Sequence, residues 1–342
     1  MDVEEIVALS VKHNAADLHL CSGDLPRWRL DGVLQPIPDL PPTSATQLEA
    51  LRERWLDAAQ QASLTQHGHI DFALTIACGQ RLRANLFRQR QGISLALRVI
   101  NNRCPSIEAL RLPASVAALL KQQDGLILIT GATGSGKSTT LASMVDALNQ
   151  QAARHIITLE DPIEFIHHSR QSLIQQRQIG QHCSSFQQGL RAALREDPDV
   201  ILLGELRDLE TIRLALTAAE TGHLVLATLH TRSAPQAVDR LIDVFPAEQK
   251  NLVRSQLAAS LKAVIAQRLV AAKAGGRIGL YEVLINTPAI ANLIREGKTH
   301  QVAGLLQTGM QSGMQTFEQS LLQRRQQGLV VTPEGSQTSF PG

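Results

Sequence analysis

The residues with the clearest chemistry run Gly131-Ala132-Thr133-Gly134-Ser135-Gly136-Lys137-Ser138-Thr139. Their spacing, G-x-x-x-x-G-K-S, is that of a phosphate-binding loop, and the flanking sequence is what such a loop needs. Leu126-Ile127-Leu128-Ile129 come before it with no polar alternation and read as a strand buried on both faces. Leu141, Met144, Val145 and Leu148 follow at helical spacing. Glycines let successive backbone N–H groups converge on one anion, and a helix N-terminus adds partial positive charge. Lys137 would bring a mobile charge to the β- and γ-phosphates, and Ser138 a hydroxyl ligand for Mg²⁺. The stretch predicts a nucleoside triphosphate site.

Further chemistry gathers where other apolar runs end. Val200-Ile201-Leu202-Leu203 leads through Gly204 to Glu205, the candidate base that orients an attacking water and, with Ser138, a candidate metal ligand. Many phosphate-loop enzymes carry Asp where this chain has Gly204, which leaves Ser138 with waters as the alternative set of Mg²⁺ ligands. Glu160, after the run 155–159, is the second candidate carboxylate, while Asp161 before Pro162 also fits a simple turn. Thr228-Leu229-His230-Thr231 ends a further run, which makes His230 a candidate sensor of the γ-phosphate. His223 lies seven residues earlier, roughly 20 Å away along a strand and on the opposite face. It fits packing, capping or a subunit contact. Arg81, Arg83, Arg88, Arg90 and Arg98 cluster on neighbouring strand-like segments. They form either a solvated face or a set from which Arg81, Arg83 or Arg88, with Arg207, neutralises phosphoryl charge.

The elements that must position these groups fall into two patterns. Residues 1–100 read as an α+β domain with a mostly antiparallel sheet. Val3, Ile6, Val7 and Val11 mark a helix, Asp17–Cys21 alternates as a strand, and turns at 22–24 and Asp31-Gly32 bracket a hairpin. A Pro-rich stretch at 36–44 precedes a helix with Leu48, Leu51, Trp55 and Leu56, and strand-like segments fill 70–76, 81–90 and 93–100. Residues 101–113, with Pro105 and Pro113, read as a linker short enough to be a hinge. From 114 to 331 strands (126–130, 155–159, 200–203, 224–229) alternate with helices (137–149, 184–195, 208–220), which predicts a parallel sheet covered on both faces. Beyond about residue 233 the expectation is mainly helix, with one strand from Ile278 to Ile285. Residues 332–342 are polar with Gly and Pro and are expected to be disordered. In an open parallel sheet ligands sit outside the carboxyl ends of the strands. That rule sends Glu160, Glu205 and His230 to the same edge as the phosphate loop.

Composition narrows the function classes. The 342 residues suit two domains, and 33 basic against 31 acidic residues leave a net charge of +2, no general case for nucleic acid. Aromatic residues make up 3%, too few for a base-stacking surface. Cys21, Cys78, Cys104 and Cys183 are scattered with no C-x-x-C pair, against a disulfide framework or zinc ribbon and in favour of a reducing cytoplasm. No apolar run reaches the length of a membrane span. The expectation is a protein not inserted in a membrane, whose membrane role, if it has one, passes through a partner.

With these motifs set out, the chain resembles the secretion-superfamily ATPases of type IV pili, and among them the PilT-type retraction ATPases. The phosphate loop is joined by Ile157–Phe165, which resembles an Asp box. Arg195–Asp208 resembles a Walker B segment that includes the glycine at 204, and Ala219–Thr231 resembles a His box. Asp17-Leu18-His19-Leu20 with Asp31-Gly32, and Gly313–Phe317, match further signatures, so the likeness runs from about residue 4 to 331. The resemblance implies a PAS-like domain followed by a RecA-like ATPase domain that uses ATP and Mg²⁺. It also implies a homohexamer peripheral to the inner membrane that acts on a pilus platform protein. Extension and secretion relatives usually carry a four-cysteine element after the position of Ala266-Gln267-Arg268-Leu269-Val270. Here Ala271-Ala272-Lys273-Ala274-Gly275-Gly276 stands in that place, which favours the retraction type. A pilus or secretion assembly ATPase, a DNA-working RecA-like enzyme and a non-hydrolysing regulatory subunit remain the alternatives. The chain reads Ala289-Ile290-Ala291-Asn292-Leu293-Ile294-Arg295-Glu296 where retraction ATPases resemble A-I-R-N-L-I-R-E, so one arginine is replaced by Ala291.

Overall fold

In the computed structural model the chain divides into two units, Met1–Arg103 and Cys104–Gly342. The described residues are 3–330 without 14, 16, 31, 32, 78 and 101–103. The expected Asp31-Gly32 turn, Cys78, the first three linker residues and the tail 332–342 lie outside them.

The first unit opens with α1 (Val3–Lys12), followed by β1 (Asp17–Cys21), β2 (Arg27–Leu30) and β3 (Val33–Pro36). After α2 (Ala45–Trp55) and α3 (Ala58–His67) come β4 (His69–Thr75), β5 (Arg81–Gln89) and β6 (Gly92–Ile100). The sheet order is β3-β2-β1-β6-β5-β4 and every pairing is antiparallel. One face is closed by the apolar sides of the helices, with Ile6, Val7, Leu48, Leu51 and Leu64 packed against Leu18, Leu20, Leu82, Leu86 and Leu97. The helix expected after the Pro-rich stretch is α2, and a second helix that was not expected, α3, follows it. Leu56 drops out of helical conformation into the core, and Asp57 starts α3 by accepting from the Gln60 N–H while Gln60 reaches back to the Asp57 N–H.

The second unit alternates strand and helix. α4 (Ala114–Leu119) leads to β7 (Gly125–Thr130), α5 (Lys137–Gln151), β8 (His155–Glu160), β9 (Leu173–Gln178) and α6 (Phe186–Ala193). β10 (Val200–Leu203), α7 (Leu209–Glu220), β11 (Leu224–Leu229), α8 (Ala234–Asp243) and α9 (Lys250–Ser260) follow. β12 (Leu261–Ala271), β13 (Arg277–Ile285), α10 (Pro288–Arg295), α11 (Val302–Thr308) and α12 (Phe317–Gln326) complete it. The sheet runs β13-β12-β7-β11-β10-β8-β9, parallel throughout except for β13. Both faces are covered. Leu126 and Leu128 of β7 point into one cluster with residues of α6, α7, α8 and α9, whereas Ile127 and Ile129 point into another with α4 and α5. That double burial is why the strand is apolar without alternation.

Two expectations are corrected. The region past residue 233 is not helical apart from one strand, because Leu261–Ala271 is a strand paired in parallel with β7 and antiparallel with β13. Its Ala, Leu, Lys, Gln and Arg content favours helix, and the vacancy beside β7 overrides that preference. Leu173–Gln178, not expected as a strand, forms the edge strand beside β8. Of the expected linker, residues 104–113 pack in the second unit, with Ile107 buried and Leu112 half-buried against the cluster under α5.

Candidate active site

The phosphate loop turns between β7 and α5 because three of its glycines adopt backbone angles that other residues avoid. Gly131, Gly134 and Gly136 have φ of 154°, 78° and 89°. A methyl group on Gly131 would sit 2.5 Å from the Gln267 carbonyl oxygen and equally close to the Ser135 hydroxyl. One on Gly136 would sit 2.8 Å from Gln267 Nε2. The loop is thus fitted against β12, and Gly136 starts α5 without a side-chain cap, leaving the first amides of the helix facing the loop. Ala132, Thr133, Gly134 and Ser138 are exposed, Thr139 is half-buried, and Ser135 and Lys137 are buried. Ser135 Oγ is enclosed with no protein partner, an acceptor and donor in want of a ligand.

Lys137 folds over its own loop. Its Nζ donates to the Gly131 carbonyl at 2.8 Å and to the Ala132 carbonyl at 3.1 Å. Burial lowers its pKa, and the charges of Glu205 and Glu164 oppose that shift. Glu205 is therefore near enough to be felt electrostatically at the loop.

Glu205 follows β10 through a turn tied to β11. Thr228 Oγ1 donates to the Gly204 carbonyl, and the Leu206 N–H donates to the Thr228 carbonyl at 3.0 Å. A side chain at 204 would approach the Leu159 carbonyl to 3.3 Å, so glycine suits the close passage of β10 past β8. The Glu205 carboxylate lies between two expected site residues, with Arg207 Nη2 at 2.6 Å from Oε2 and His230 Nε2 at 3.2 Å from Oε1. Burial pushes its pKa up, but Arg207 and His230 outweigh burial and hold it below the ordinary carboxylate range. The His230 loop is pinned to the phosphate-loop strand, since the Thr231 N–H donates to Thr130 Oγ1 at 2.9 Å and Thr130 Oγ1 donates to the Thr231 carbonyl at 2.8 Å. His223 sits at the other end of β11 and caps α7 through the Ala218 carbonyl, 3.0 Å from its Nδ1.

Glu160 ends β8 in a different setting. Oε1 accepts from Thr158 Oγ1 at 2.6 Å and from Gln176 Nε2 at 3.0 Å. Burial raises its pKa despite these bonds. Gln176 comes from β9, and neither it nor Gln267 of β12 was identified from sequence. An isolated glutamine inside an otherwise apolar run, as in Ala263–Ala266 before Gln267, is the signal that could have found the second. Thr140, one helical turn into α5, donates to Gln267 Oε1 at 2.7 Å.

Arg81, Arg83 and Arg88 lie on β5 of the first unit. Arg83 is exposed and in register with Arg98, which is paired with Asp17 at 2.7 Å. No group of three or more His, Cys, Asp or Glu that could hold a metal ion occurs among the described residues. The oxygen donors at hand, Ser138 and Glu205, suit Mg²⁺, which takes few protein ligands beside substrate phosphates.

The chain matches the family model described as Type II/IV secretion system protein over residues 2–336. It is 61% identical to "Uncharacterized protein YggR" of Escherichia coli (strain K12), across 96% of this chain and 99% of that one. It is 46% identical to "Type IV pilus retractation ATPase PilT" of Pseudomonas aeruginosa, across 96% of each. Among solved structures it is similar to the pilus retraction motor PilT with bound ADP, at a TM-score of 0.90 and 42% identity over 99% of this chain and 98% of that one.

Proposed function

The chain belongs to the Type II/IV secretion system protein family and is an ATPase, and from that premise we propose that its hydrolysis drives retraction of a type IV pilus. The similarity to PilT across nearly the whole of both chains supports this reading. One observation favours the retraction type over an assembly ATPase. β12 and β13 are joined by a tight turn in which the Ala272 N–H donates to the Gly276 carbonyl at 3.1 Å and the Gly275 N–H to the Ala272 carbonyl at 3.0 Å. No cysteine element is inserted there.

In this reading Lys137 and the loop amides hold the phosphates, and Glu205 orients the water. Mg²⁺, held by Ser138 and Glu205, would supply neutralising charge at the phosphates. Glu160 and His230 support the same edge, His230 by keeping one oxygen of Glu205 in place. The working assembly is a homohexamer of PAS-like and RecA-like domains in the cytoplasm at the inner membrane, acting on a platform protein without nucleic acid. No helix of the described residues is long and apolar enough to cross the membrane.

The arginines of β5 are assigned to charge neutralisation at a nucleotide. Arg83→Ala is expected to lower kcat by up to about 10³-fold, toward the effect of other arginines in this role. Its melting temperature should scarcely move, because the side chain is exposed and lies across from a like charge. Steady-state phosphate release at saturating ATP checks this, and unchanged kcat removes Arg83 from the site.

The function itself is tested by deleting the gene and observing fluorescent pili. Retraction should stop and return with the wild-type chain. Ala291 gives the same assay a second arm. It sits on α10 between the core residues Ile290 and Ile294, half-buried, with Arg295 exposed one turn on. Ala291→Arg would place a second guanidinium beside Arg295, its stem lying on the apolar flank. Retraction events are expected to become more frequent with hydrolysis unchanged. Equal retraction by both chains means that Ala291 is neutral.

A further inference from the structure

α5, β12, β13, α12 and residues 104–113 bury a set of linked polar groups. Gln267 touches the phosphate loop at Gly131 and Gly136, and its Oε1 accepts from Thr140 at 2.7 Å. The Thr140 hydroxyl is close enough to the phenol of Tyr281, on β13, to bear on its pKa, while the two hydroxyl protons are donated elsewhere, to Gln267 and to the Leu110 carbonyl. The Tyr281 ring lies over Gly279 on its own strand, where a side chain would collide with it, and its hydroxyl donates to the Leu110 carbonyl at 3.0 Å. The next carbonyl, that of Arg111, accepts from Arg324 Nη2 at 2.5 Å. Gln267, Thr140, Tyr281 and Arg324 are all at least 96% buried.

α12 and the residues just before it fix the far end. Ser320 Oγ accepts from the Tyr281 N–H at 3.1 Å, Gln315 Nε2 donates to the Tyr281 carbonyl at 3.0 Å, and Arg324 Nε donates to the Gly279 carbonyl at 3.4 Å. Burial raises the Tyr281 phenol to about 12, although Arg324 and Thr140 pull the other way, so at neutral pH it keeps its proton and its role as donor.

The segment these donors hold is not in a relaxed state. Arg111 has φ of 53°, in the left-handed region that side chains other than glycine seldom occupy. Its side chain is exposed, and its carbonyl is the group that Arg324 grips. A residue held in such a conformation by a buried partner has a second, relaxed conformation open to it once the hold loosens.

We propose that Gln267, Thr140, Tyr281 and Arg324 form a buried polar relay through which the state of the phosphate loop sets the conformation of residues 107–112, where the chain enters the second unit. The relay rests on nucleotide binding at the loop and adds to it a route outward. Movement of Gly131 or Gly136 around phosphate shifts Gln267. Gln267 repositions Thr140 and with it the Tyr281 hydroxyl, and the carbonyls of Leu110 and Arg111 follow or are released. Tyr281 and Arg324 are positioning residues in this scheme and touch no substrate.

The test is hydrogen–deuterium exchange on the full chain, with and without ADP, beside calorimetric ADP binding. The amides of Leu110, Arg111 and Leu112 donate to the carbonyls of Ser106, Glu108 and Ile107 and report the segment directly. In wild type, ADP is expected to change their exchange rates by about tenfold. Tyr281→Phe keeps the ring and loses the hydroxyl. It should bind ADP with unchanged affinity, while the exchange of residues 110–112 no longer responds. Arg111→Gly, which removes the backbone constraint without touching the core, should also abolish the response and guards against misfolding of the first variant. ADP binding to wild type with no change at 110–112, or a wild-type response in Tyr281→Phe, overturns the relay alone. Failure of wild type to bind ADP overturns the nucleotide reading beneath it.

Discussion

Replacing Lys137 by alanine is expected to abolish nucleotide binding at micromolar concentrations while leaving a folded protein. In the structure the ammonium satisfies two loop carbonyls, and on binding it is the group free to turn from them to phosphate oxygens. Hydrogen bonds to charged groups contribute about 1.5–3 kcal/mol each, so loss of two corresponds to roughly 10²–10⁴-fold in affinity. The apparent stability cost is small by comparison, because burial already disfavours the charged amine. Calorimetric titration with ADP measures the effect. Retention of tight binding by the alanine variant would show that the backbone cradle alone holds the phosphates.

Glu205→Gln is expected to keep ATP binding, through Lys137 and the loop amides, and to turn over about 10²–10⁴-fold more slowly, the range for loss of a positioned general base. Glutamine keeps the shape but lacks the charge that Arg207 and His230 both address. The Arg207 side chain is 68% exposed, so it can leave the carboxylate without a large desolvation change and free an oxygen for water. Because its neighbours hold the pKa of Glu205 below the usual range, its base form persists through neutral pH and is lost only as pH falls through that lowered value. The rate of wild type should therefore show no acid limb from Glu205 between pH 6 and 8, taking about 4.3 as the ordinary glutamate value. Single-turnover phosphate release with bound ATP separates binding from chemistry. A variant that hydrolyses at the wild-type rate would move the base elsewhere, with Glu160 the next candidate.

The parts of this arrangement that were legible in the chain share one property: each is local. Leu126–Ile129 and Val200–Leu203 are apolar throughout because both faces of their strands are covered, and the glycine loop follows directly on the first. The rule that ligands lie beyond the carboxyl ends of parallel strands then brought Glu205 and His230 to one edge, where the structure joins them at 3.2 Å. What escaped depends on partners distant in sequence. β12 is made of helix-favouring residues and is a strand only because β7 and β13 flank it. Gln267 and Gln176 gain their roles from register with other strands, which no spacing in the sequence records. The start of α3 is marked in the sequence by Asp57 and Gln60, whose spacing is that of a capping box, but residues 58–67 have only Leu64 buried and so show little apolar periodicity.

The place of β12 bears on how the protein is made. The phosphate loop is complete as a sequence once Thr139 has been synthesised, yet one wall of it is Gln267, and β7 pairs with Leu261–Ala266 on one side and β11 on the other. A growing chain adds roughly 5–20 residues per second and can fold its first unit early. Until β12 leaves the ribosome, β7 is an apolar strand with an open edge, a state that invites pairing with other chains. The nucleotide site is consequently one of the last parts of the molecule to acquire its shape, and the interval before it does is when the nascent chain has most need of protection from aggregation.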